Sequence, residues 1–507
     1  MKKVLAVLLL IPFLFILPAS CRGSGSNRPV VITLLLLGNK PTNDRADAAI
    51  AEINKITAER IGAVLRTRYI EWADWQTRYQ LAIASGDPSI DLVISSTTWL
   101  YGWEIVRRGG FYPLTPELLQ ENAPKTWAAV PPEHWDLVTD DGFIWFIPEN
   151  QFSQFTNHGM YWRKDWAQMA GIEDIEKFED LELYWDAVKD HFPGVFPWDV
   201  SGSGIATSLF NGFFLGKTHT QPIIGVSVGN YNIFEYRIDD PYTVVSNIME
   251  SDYLIEAARL FDRWGKKGYW RDDVLNYQGE TRNLLLAGLS GSDQHHTNTF
   301  ITLREQMDRD QPGSELQMYY WGKETGNVNR DLITHGAMSV NAGSRNVENA
   351  LQMYDLLRND KQIYLLFNYG IEGVDYLVNP DGTFSRPEGY NEITDILGTN
   401  FWGGRIDEFE PVWDTWWSGR IDFVAHKNSI ARDYPLARFA FESGNVSAEM
   451  AAMGDVCVTH LPAIHFGRTN DPERAVADFR AAMRRAGYDR VKAEIQSQLN
   501  VLKAKSE

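Results

Sequence analysis

The residues best suited to binding chemistry are aromatic rings that stand beside small polar side chains. Trp99 follows Ser96 and Thr97 and precedes Tyr101, and Trp402 follows an Asn-Phe pair. The chain has 18 Trp, 21 Tyr and 25 Phe, many of them in segments predicted to be loops. A sugar packs its C–H face on a flat ring and requires hydrogen bonds for its hydroxyls. We therefore expect a carbohydrate site built from Asn39, Ser96, Thr97, Trp99, Tyr101, Asn150, Gln151, Asp293 and Trp402.

Other tryptophans favour a structural interpretation. Trp75, Trp162 and Trp166 occur at helical spacing with apolar neighbours, so we predict that they lie in hydrophobic cores. The group at 413–417 has three tryptophans, and the sequence alone does not choose between a site and a core for them.

Two short motifs are similar to catalytic or phosphate-binding sequences, and their surroundings argue against both functions. Gly225–Gly229 has the pattern G-x-S-x-G of a nucleophile elbow, which requires a strand before the serine and a helix after it. The following segment, 230–236, is predicted to be a strand or a loop. Gly212–Thr218 has three residues between its glycines, where a phosphate loop has four. We expect neither function at these positions.

Histidines and carboxylates raise two further questions. His295 and His296 are adjacent, and no carboxylate stands at a helical spacing to complete a metal site with them. We expect a surface loop there, and no bound metal or cofactor. The amide-rich stretch 288–298, which includes Asp293, is a second candidate for hydrogen bonds to a ligand. A carboxylate pair for glycoside hydrolysis stays open, because 67 acidic residues supply many chance pairs.

The first twenty residues have the organisation of an export signal. Two lysines precede an apolar stretch from 4 to 19, which is shorter than the roughly 20 residues of a membrane span. Cys21 follows two small residues and precedes a tract rich in glycine and serine. The segment resembles a bacterial lipoprotein signal, so we predict that residues 1–20 are removed, that Cys21 is lipidated and that 21–29 form a linker. An ordinary signal peptide with an incidental cysteine is the alternative.

Charge and cysteine content exclude several classes of partner. The formal charge of −19 becomes −21 when the two lysines of the signal are removed. Nucleic acid and anionic lipid both require a basic face, so we expect neither, and we expect membrane contact only through the lipid. Cys457 is the only cysteine besides Cys21, so no disulfide is predicted within the mature chain. A chain of 507 residues with 44% apolar content can form two or more cores.

The segment from 30 to 95 must position the Trp99 group. Its pattern predicts a strand at 30–37, helices at 44–60 and 72–84, and further strands at 64–70 and 90–95. Strands that alternate with helices in this way predict a parallel sheet with right-handed crossovers. Such sheets bind ligands beyond the carboxyl ends of their strands, which are Gly38–Lys40 and Ser95–Trp99 here.

The rest of the chain repeats this mixture of elements. Helices are predicted at 175–190, 253–267 and 346–358, with a strand at 337–340. Two helices end the chain. The first is predicted to begin after Asn470 as its N-cap, with Pro472 in its first turn, and to end at Gly487.

Several stretches together identify a family. Each is weak alone, but their order along the chain is specific. They are Ala84–Ile94, Gly110–Thr115, Tyr161–Trp166, Asn346–Leu357, Tyr369–Tyr376 and Ala486–Gln498, together with the opening strand and helix. The chain resembles the extracellular solute-binding proteins of family one, and within them the lipoprotein subgroup associated with sugar and oligosaccharide uptake. Asp375 stands where that subgroup often has His, and 193–320 matches poorly, so the identity of the ligand stays open.

The resemblance implies an α/β fold of the periplasmic-binding-protein type, with two discontinuous lobes, a hinge of several strands and a ligand enclosed between the lobes. We expect 30–155 and 336–400 in the first lobe, and 156–335 and 401–507 in the second. Trp99 is then expected on the first lobe and Trp402 on the second. The resemblance also implies a monomer that is not an enzyme, held at the outer face of a membrane, which delivers a carbohydrate to the permease subunits of an ABC importer.

Two other functions remain open from the sequence. An exported carbohydrate-active enzyme, such as a glycoside hydrolase, would use the same aromatic residues. A lipoprotein with a structural or chaperone role would need no ligand site.

Overall fold

The structure of the chain is a computed structural model, which describes residues 28–73, 75–150, 152, 155–201, 209–277, 282–391 and 394–506. The predicted signal peptide, Cys21 and Gln151 lie outside the described residues. No helix within these ranges is both long enough and apolar enough to span a membrane.

The described residues form helices and strands throughout. The strands are β1 (Val30–Leu37), β2 (Ala63–Ile70), β3 (Leu92–Ser95), β4 (Thr139–Asp140), β5 (Phe143–Ile144), β6 (His158–Arg163), β7 (Thr220–Pro222), β8 (Glu235–Arg237), β9 (Asp240–Val245), β10 (Ser292–His296), β11 (Leu316–Tyr320), β12 (Ala337–Val340), β13 (Leu377–Val378) and β14 (Phe384–Ser385). The helices are α1 (Arg45–Ile61), α2 (Trp75–Ala84), α3 (Gly102–Arg107), α4 (Pro116–Asn122), α5 (Pro124–Ala129), α6 (Pro132–Leu137), α7 (Lys164–Gln168), α8 (Leu181–His191), α9 (Leu209–Lys217), α10 (Asn247–Glu250), α11 (Tyr253–Lys267), α12 (Arg282–Leu286), α13 (Thr297–Asp310), α14 (Val347–Asn359), α15 (Lys361–Tyr369), α16 (Arg420–Ile430), α17 (Ser447–His465), α18 (Pro472–Ala486) and α19 (Tyr488–Ser506).

The first lobe is built on a four-stranded sheet in the order β12, β3, β1, β2. β1 pairs in parallel with β2 and β3, and β12 lies antiparallel to β3. Residues 32–37 of β1 are all buried, because a central strand of a sheet covered by helices needs apolar side chains on both faces. The predicted parallel sheet is confirmed, and the carboxyl ends of β1, β2 and β3 meet at one edge.

The second lobe contains two antiparallel three-stranded sheets, β10–β6–β11 and β7–β8–β9. Its main core is rich in aromatic side chains, with Trp185, Trp264 and Trp270 at most 1% exposed. Trp162 on β6 and Trp166 in α7 lie in the same core, so their predicted structural role is confirmed. Burial of such large rings supplies much of the stability of this lobe.

The C-terminal helices pack on this core, and the first begins one residue later than predicted. The Asp471 carboxylate accepts a hydrogen bond from the Arg474 backbone N–H at 3.0 Å, and Pro472 occupies the first helical position. The prediction that Asn470 is the N-cap was wrong, because a proline at that position fixes the cap on the residue directly before it. Gly487, with φ of 108°, ends the helix as predicted.

Two segments of chain join the lobes side by side and antiparallel. They pair at both ends, through Ile147 with Met338 and through Phe155 with Arg330. Between these pairs, the Glu149 N–H donates to the Ile333 carbonyl at 3.1 Å. We call the described residues of 147–156 the first hinge segment, and residues 329–338, which pair with them, the second hinge segment.

The third connection lies later in the chain than predicted. Phe401 belongs to the core of the first lobe, and Glu410 accepts hydrogen bonds from Tyr364 and Tyr369 of that lobe. The chain reaches the second lobe at Trp417, which packs against Phe300 and Phe423. The predicted boundary at 400 was therefore too early, because these contacts join residues far apart in sequence. Residues 401–413 pack on the first lobe.

Candidate functional site

Four indole rings gather at the carboxyl ends of the parallel strands. We call Trp72, Trp75, Trp99 and Trp402 the tryptophan cluster. Trp72 follows β2, Trp99 follows β3, and Trp402 comes from the loop that precedes the third connection. Ring centroids lie 5.8 Å apart for Trp99 and Trp402, 6.1 Å for Trp72 and Trp402, and 5.3 Å for Trp75 and Trp99.

Within the tryptophan cluster, Trp99 is fixed by a hydrogen bond to the hinge, whereas Trp72 and Trp402 are partly exposed. The Trp99 Nε1–H donates to the His335 carbonyl at 3.0 Å, which fixes the orientation of that ring. A Cβ at Gly336 would lie 3.0 Å from the Cβ of Trp402, so the glycine permits a close approach there. Trp72 is 40% exposed and Trp402 is 37% exposed. Their indoles therefore offer apolar surface to a ligand.

Three imidazoles from the second lobe form a matching group, which we call the histidine cluster. His158 begins β6, and His295 and His296 end β10, which pairs antiparallel with β6. Ring centroids lie 5.2 Å apart for His158 and His295, and 4.3 Å for His295 and His296. The expectation of a surface loop at His295 and His296 was wrong, since both residues belong to a strand paired along its full length.

The histidine cluster is held in its neutral form. Burial lowers the pKa of His295 to about 4 and the pKa of His296 to about 2, and neighbouring positive groups add to the effect. Burial, followed by the other histidines, lowers the pKa of His158 well below its ordinary value. The His296 Nδ1 accepts from the Thr299 backbone N–H at 3.2 Å as the N-cap of α13, which requires an unprotonated nitrogen. Each of the three Nδ1 atoms has a partner within the protein, either Gln294 or Thr299, so the Nε2 atoms are the candidates for contact with sugar hydroxyls.

His335 of the second hinge segment connects the two clusters. Its Nδ1 lies 2.8 Å from a carboxylate oxygen of Asp331. Burial lowers the pKa of His335, but the Asp331 carboxylate outweighs burial, so the pKa is raised. The ring lies 6.4 Å from Trp99, and its charge acts on His158 and His296. His335 therefore lies near the tryptophan cluster of the first lobe and the histidine cluster of the second, and we call the region between the lobes at these clusters the cleft.

Sequence comparison decides the family to which this two-lobed chain belongs. Residues 42–363 match the model described as bacterial extracellular solute-binding protein, which is more than half of the chain. The chain belongs to the bacterial extracellular solute-binding proteins. A second model, described as a domain of unknown function, matches residues 435–504 of this solute-binding protein, which include α17, α18 and most of α19.

Relatives of this solute-binding protein match it over nearly its whole length. A carbohydrate ABC transporter substrate-binding protein of Streptococcus pneumoniae serotype 4 is 22% identical over 494 residues, covering 94% of this chain and 92% of the relative. The crystal structure of an N-glycan transport solute binding protein of Streptococcus pneumoniae, in complex with Man1GlcNAc, matches with a TM-score of 0.72 at 19% identity, over 93% of this chain and 98% of that one. The substrate binding protein FusA of the same species, in complex with kestose, matches with a TM-score of 0.65 at 14% identity, over 94% and 100% of the two chains. These likenesses confirm the predicted two-lobed fold.

The structure brings together three of the residues predicted from the sequence to bind ligand. Trp99 and Trp402 lie in the tryptophan cluster, and Asn39 accepts a hydrogen bond from the Trp72 N–H at 3.3 Å beside it. Trp402 stands on the first lobe of the solute-binding protein, so its expected place on the second lobe was wrong. Trp75, predicted to be core, packs against the core of the first lobe with its ring partly buried, and it contacts Trp99 within the tryptophan cluster.

Three further candidates, Ser96, Thr97 and Tyr101, lie close to Trp99 in the segment that follows β3. Ser96 is 0% exposed and its hydroxyl pairs with that of Thr98, so it shapes the turn and does not reach the cleft. Thr97 is buried and pairs with Thr334 of the second hinge segment. Tyr101 lines a small cavity between the lobes, together with Thr97 and Thr98. The Thr98 hydroxyl also lies 3.5 Å from His335 Nδ1.

The remaining candidates have structural partners. Asn150 lies in the first hinge segment, and its side-chain oxygen accepts a hydrogen bond from the guanidinium of buried Arg358. Asp293 lies buried on β10 and pairs with Arg282, whose Nε is 3.1 Å from its carboxylate. Both side chains are therefore engaged within the protein. Gln151 lies outside the described residues.

Three residues near the cleft were not predicted from the sequence to bind ligand. Trp72 follows the carboxyl end of β2, and the same strand-end rule that identified Trp99 would have found it. His158 was missed because its partner strand lies more than 130 residues away, so only the sheet brings the three imidazoles together. His335 carries no signal in the sequence beyond its place near a predicted hinge crossing.

The motifs set aside from the sequence have no catalytic geometry. Val228 pairs with Tyr231, and the next regular element after Ser227 is β8, so a nucleophile elbow with a following helix is not formed there. Gly212–Thr218 overlaps the buried helix α9. Within the described part of the chain, no group of three or more His, Cys, Asp or Glu side chains is arranged to hold a metal ion.

Proposed function

We propose that this solute-binding protein captures a sugar or oligosaccharide between its lobes and delivers it to the permease subunits of an ABC importer. The observation that carries the proposal is a partly exposed tryptophan cluster on the first lobe that lies, with His335, near three imidazoles of the second lobe. Indole rings suit the C–H face of a sugar, and neutral imidazoles suit its hydroxyls. The names of the relatives support the same class of ligand, since they include a carbohydrate ABC transporter protein and complexes with Man1GlcNAc and kestose.

The charges around the cleft favour a neutral ligand. Arg282 is paired with Asp293, and His335 is paired with Asp331. Lys427, whose Nζ donates to Thr297 at 2.6 Å, is fully buried. An acidic sugar that drew on one of these three cations would have to break its contact, and that costs free energy. A neutral sugar leaves them intact.

The position of the protein outside the cytoplasm follows from its family, and we propose a lipid anchor in addition. Cys21 would become the N-terminus and carry the lipid, and the following linker would hold a monomer near the permease. The small residues before Cys21 and the flexible tract after it support this arrangement.

A ligand panel tests the proposal. Man1GlcNAc and kestose are the first probes, with the trisaccharide of glucuronic-acid-containing hyaluronan as an acidic comparison. A ligand at 100 times its dissociation constant stabilises the folded state by about 2.7 kcal/mol, so thermal unfolding reports binding directly. We expect one neutral probe or a relative in a wider neutral panel to raise the unfolding temperature, and the acidic probe to leave it unchanged.

The same samples separate binding from catalysis. Chromatography of the glycan after prolonged incubation should recover it at its original length if the protein only binds. Shortened glycan would favour an exported carbohydrate-active enzyme. A full neutral panel without any thermal shift would contradict the proposed function.

A further inference from the structure

Arg358 of α14 is a cation buried at the junction of the first lobe and the hinge. It is 0% exposed. Its Nη1 donates to the Pro148 carbonyl at 3.0 Å, and its Nη2 donates to the side chain of Asn150, so it binds the first hinge segment twice. Within the described residues, no salt bridge joins Arg358 to a carboxylate. Its donors are used to position backbone and amide groups.

Arg358 also binds Tyr354, one turn earlier in the same helix. Nη1 of Arg358 lies 2.9 Å from Tyr354 Oη. The Tyr354 hydroxyl in turn donates to the Gly403 carbonyl, and the ring is fully buried. One hydroxyl thus accepts from the hinge-binding arginine and donates to the loop that follows Trp402.

The loop at Trp402 is pressed against the sheet at that point. A Cβ at Gly403 would lie 2.4 Å from the Ala337 carbonyl oxygen of β12, so only glycine fits there. Gly336, at the end of the second hinge segment, meets Trp402 from the same side, and its N–H donates to Glu149 of the first hinge segment at 2.9 Å. The backbone on either side of the Trp402 ring is therefore held from several directions.

We propose that Arg358 and Tyr354 are positioning residues that hold the Trp402 ring in place and connect it to the first hinge segment. The route runs from Pro148 and Asn150 through Arg358 and Tyr354 to the Gly403 carbonyl. Neither side chain touches the cleft, since both are fully buried. This inference rests on the proposed function for its purpose, but the placement of the ring is a property of the free protein.

The residue types explain why this route needs these two side chains. A guanidinium has a rigid fork of five donors and can bind a carbonyl, an amide and a hydroxyl together, which the single ammonium of lysine cannot do in the same geometry. A tyrosine hydroxyl donates and accepts at once, whereas phenylalanine does neither. A ring that is held before the sugar arrives loses little conformational entropy on binding.

Fluorine NMR of the ligand-free protein, labelled with 5-fluorotryptophan, tests the placement. Trp402→Phe assigns the Trp402 line, and Tyr354→Phe removes one hydroxyl with little change in volume. We expect Tyr354→Phe to shift or broaden the Trp402 line, and Arg358→Lys to do the same. Tyr184→Phe is the matched control, because Tyr184 is equally buried and donates to the Gly291 carbonyl at 2.6 Å in the other lobe.

An unchanged Trp402 line in Tyr354→Phe would overturn the inference, and Tyr184→Phe should leave that line in place. Should Arg358→Lys fail to fold, the tyrosine variant decides alone.

A double-mutant cycle with Man1GlcNAc adds the functional readout. Tyr354→Phe should weaken binding about fivefold in the otherwise unchanged protein, the scale of one hydrogen bond, and should have no effect when Trp402 is already Ala. Equal effects in both backgrounds would show that Tyr354 does not act through Trp402. If Man1GlcNAc does not bind the unchanged protein, that result counts against the proposed ligand, while the fluorine spectra still decide the positioning role.

Discussion

Trp99 and Trp402 are adjacent in space, yet they should differ in what they contribute. Trp402 is 37% exposed, whereas Trp99 is partly buried and bonded through its Nε1 to the hinge. We expect Trp402→Ala to weaken the affinity for Man1GlcNAc by about 2 kcal/mol, which is about 30-fold, with little loss of stability. Trp99→Ala should weaken the affinity by a similar factor and should also lower the stability of the protein. Isothermal calorimetry and thermal unfolding measure the two quantities.

Trp127→Ala is the control for these variants. Trp127 stacks on Trp135 with ring centroids 5.0 Å apart in the first lobe, and it is not part of the tryptophan cluster. It should lower stability and leave the affinity of the folded protein unchanged. If Trp99→Ala and Trp402→Ala bound the sugar as tightly as Trp127→Ala does, the sugar would not stack on the tryptophan cluster.

His296 should make the stability of the protein depend on pH. An unfolded histidine has a pKa of about 6.5, whereas burial lowers the pKa of His296 to about 2 in the folded chain. Between these values the unfolded state binds more protons, so stability falls as the pH falls below about 6.5 and is fully retained above it. His296→Asn places an oxygen where the histidine nitrogen caps the helix, and it removes the titrating group.

The loss of unfolding free energy between pH 6 and pH 5 should therefore be smaller in His296→Asn by about 1 kcal/mol, from a slope near 1.4 kcal/mol per pH unit for one proton. Denaturant unfolding at the two pH values measures it. Parallel curves for the two proteins would mean that His296 takes up protons equally in the folded and unfolded states, so that its pKa is not lowered by folding.

At this scale the sequence predicted some site residues and missed others for a physical reason. Trp99 was found because strand ends collect ligands and a strand end can be read from local pattern. The three imidazoles and His335 are brought together only by the pairing of β6 with β10 and by the hinge, which are contacts between distant residues. Ser96 had the right residue type and position in the sequence, but its hydroxyl is turned into the protein.

Among the elements, the short helix α3 reaches across to the second lobe. Arg107 at its end donates to the carbonyls of Ala440 and Phe441, each at 2.9 Å, and Phe441 belongs to the core of the second lobe. Arg107→Met should destabilise the closed arrangement and weaken sugar binding by about tenfold, the scale of hydrogen bonds from a charged group. Surface-plasmon measurements should show this mainly as faster release of Man1GlcNAc.

Arg108→Met provides the comparison for that variant. Arg108 is the next residue, directly after α3. Its guanidinium forms an ion pair with Glu104 of α3, at a distance of 3.5 Å. It is largely exposed, so its loss should change neither affinity nor release rate. The same effect in both variants would mean that net charge, and not the contact between lobes, is responsible.

The elements that carry strong local patterns were predictable and the connections were not. β1, α1, β2, α2 and β3 were found within a few residues because their apolar periodicity is local. The third connection was placed too early because Tyr364, Tyr369 and Phe384 hold the segment at 401–413, and each lies about 30 residues or more before the residue that it contacts there. No local pattern reports such contacts.

For the whole molecule, the proposed function requires that the two lobes approach each other on binding. Small-angle scattering with and without Man1GlcNAc should show a smaller radius of gyration in the presence of sugar, because closure about the paired hinge segments brings the two masses together. The Trp402→Ala variant should show less compaction at the same sugar concentration. An unchanged radius of gyration at saturating sugar would contradict closure.

The N-terminal anchor can be tested in the same cell that makes the protein. Cys21→Ser should release the protein from the membrane fraction into the soluble extracytoplasmic fraction, because the mature chain would then carry no lipid. Cys457→Ser is the control, since Cys457 is buried in the second lobe. Membrane association that survives Cys21→Ser would refute lipidation at that residue.

The late third connection has a consequence for the order of events in binding. Because residues 401–413 pack on the first lobe, Trp72, Trp99 and Trp402 all stand on one rigid body and form their surface before the lobes meet. The proposed function then predicts that a sugar first binds to these rings in an encounter complex, and that the second lobe with its imidazoles encloses it in a second step. Stopped-flow tryptophan fluorescence should resolve two phases: a fast one whose rate rises linearly with sugar concentration, and a slower one whose rate levels off at the intrinsic rate of closure.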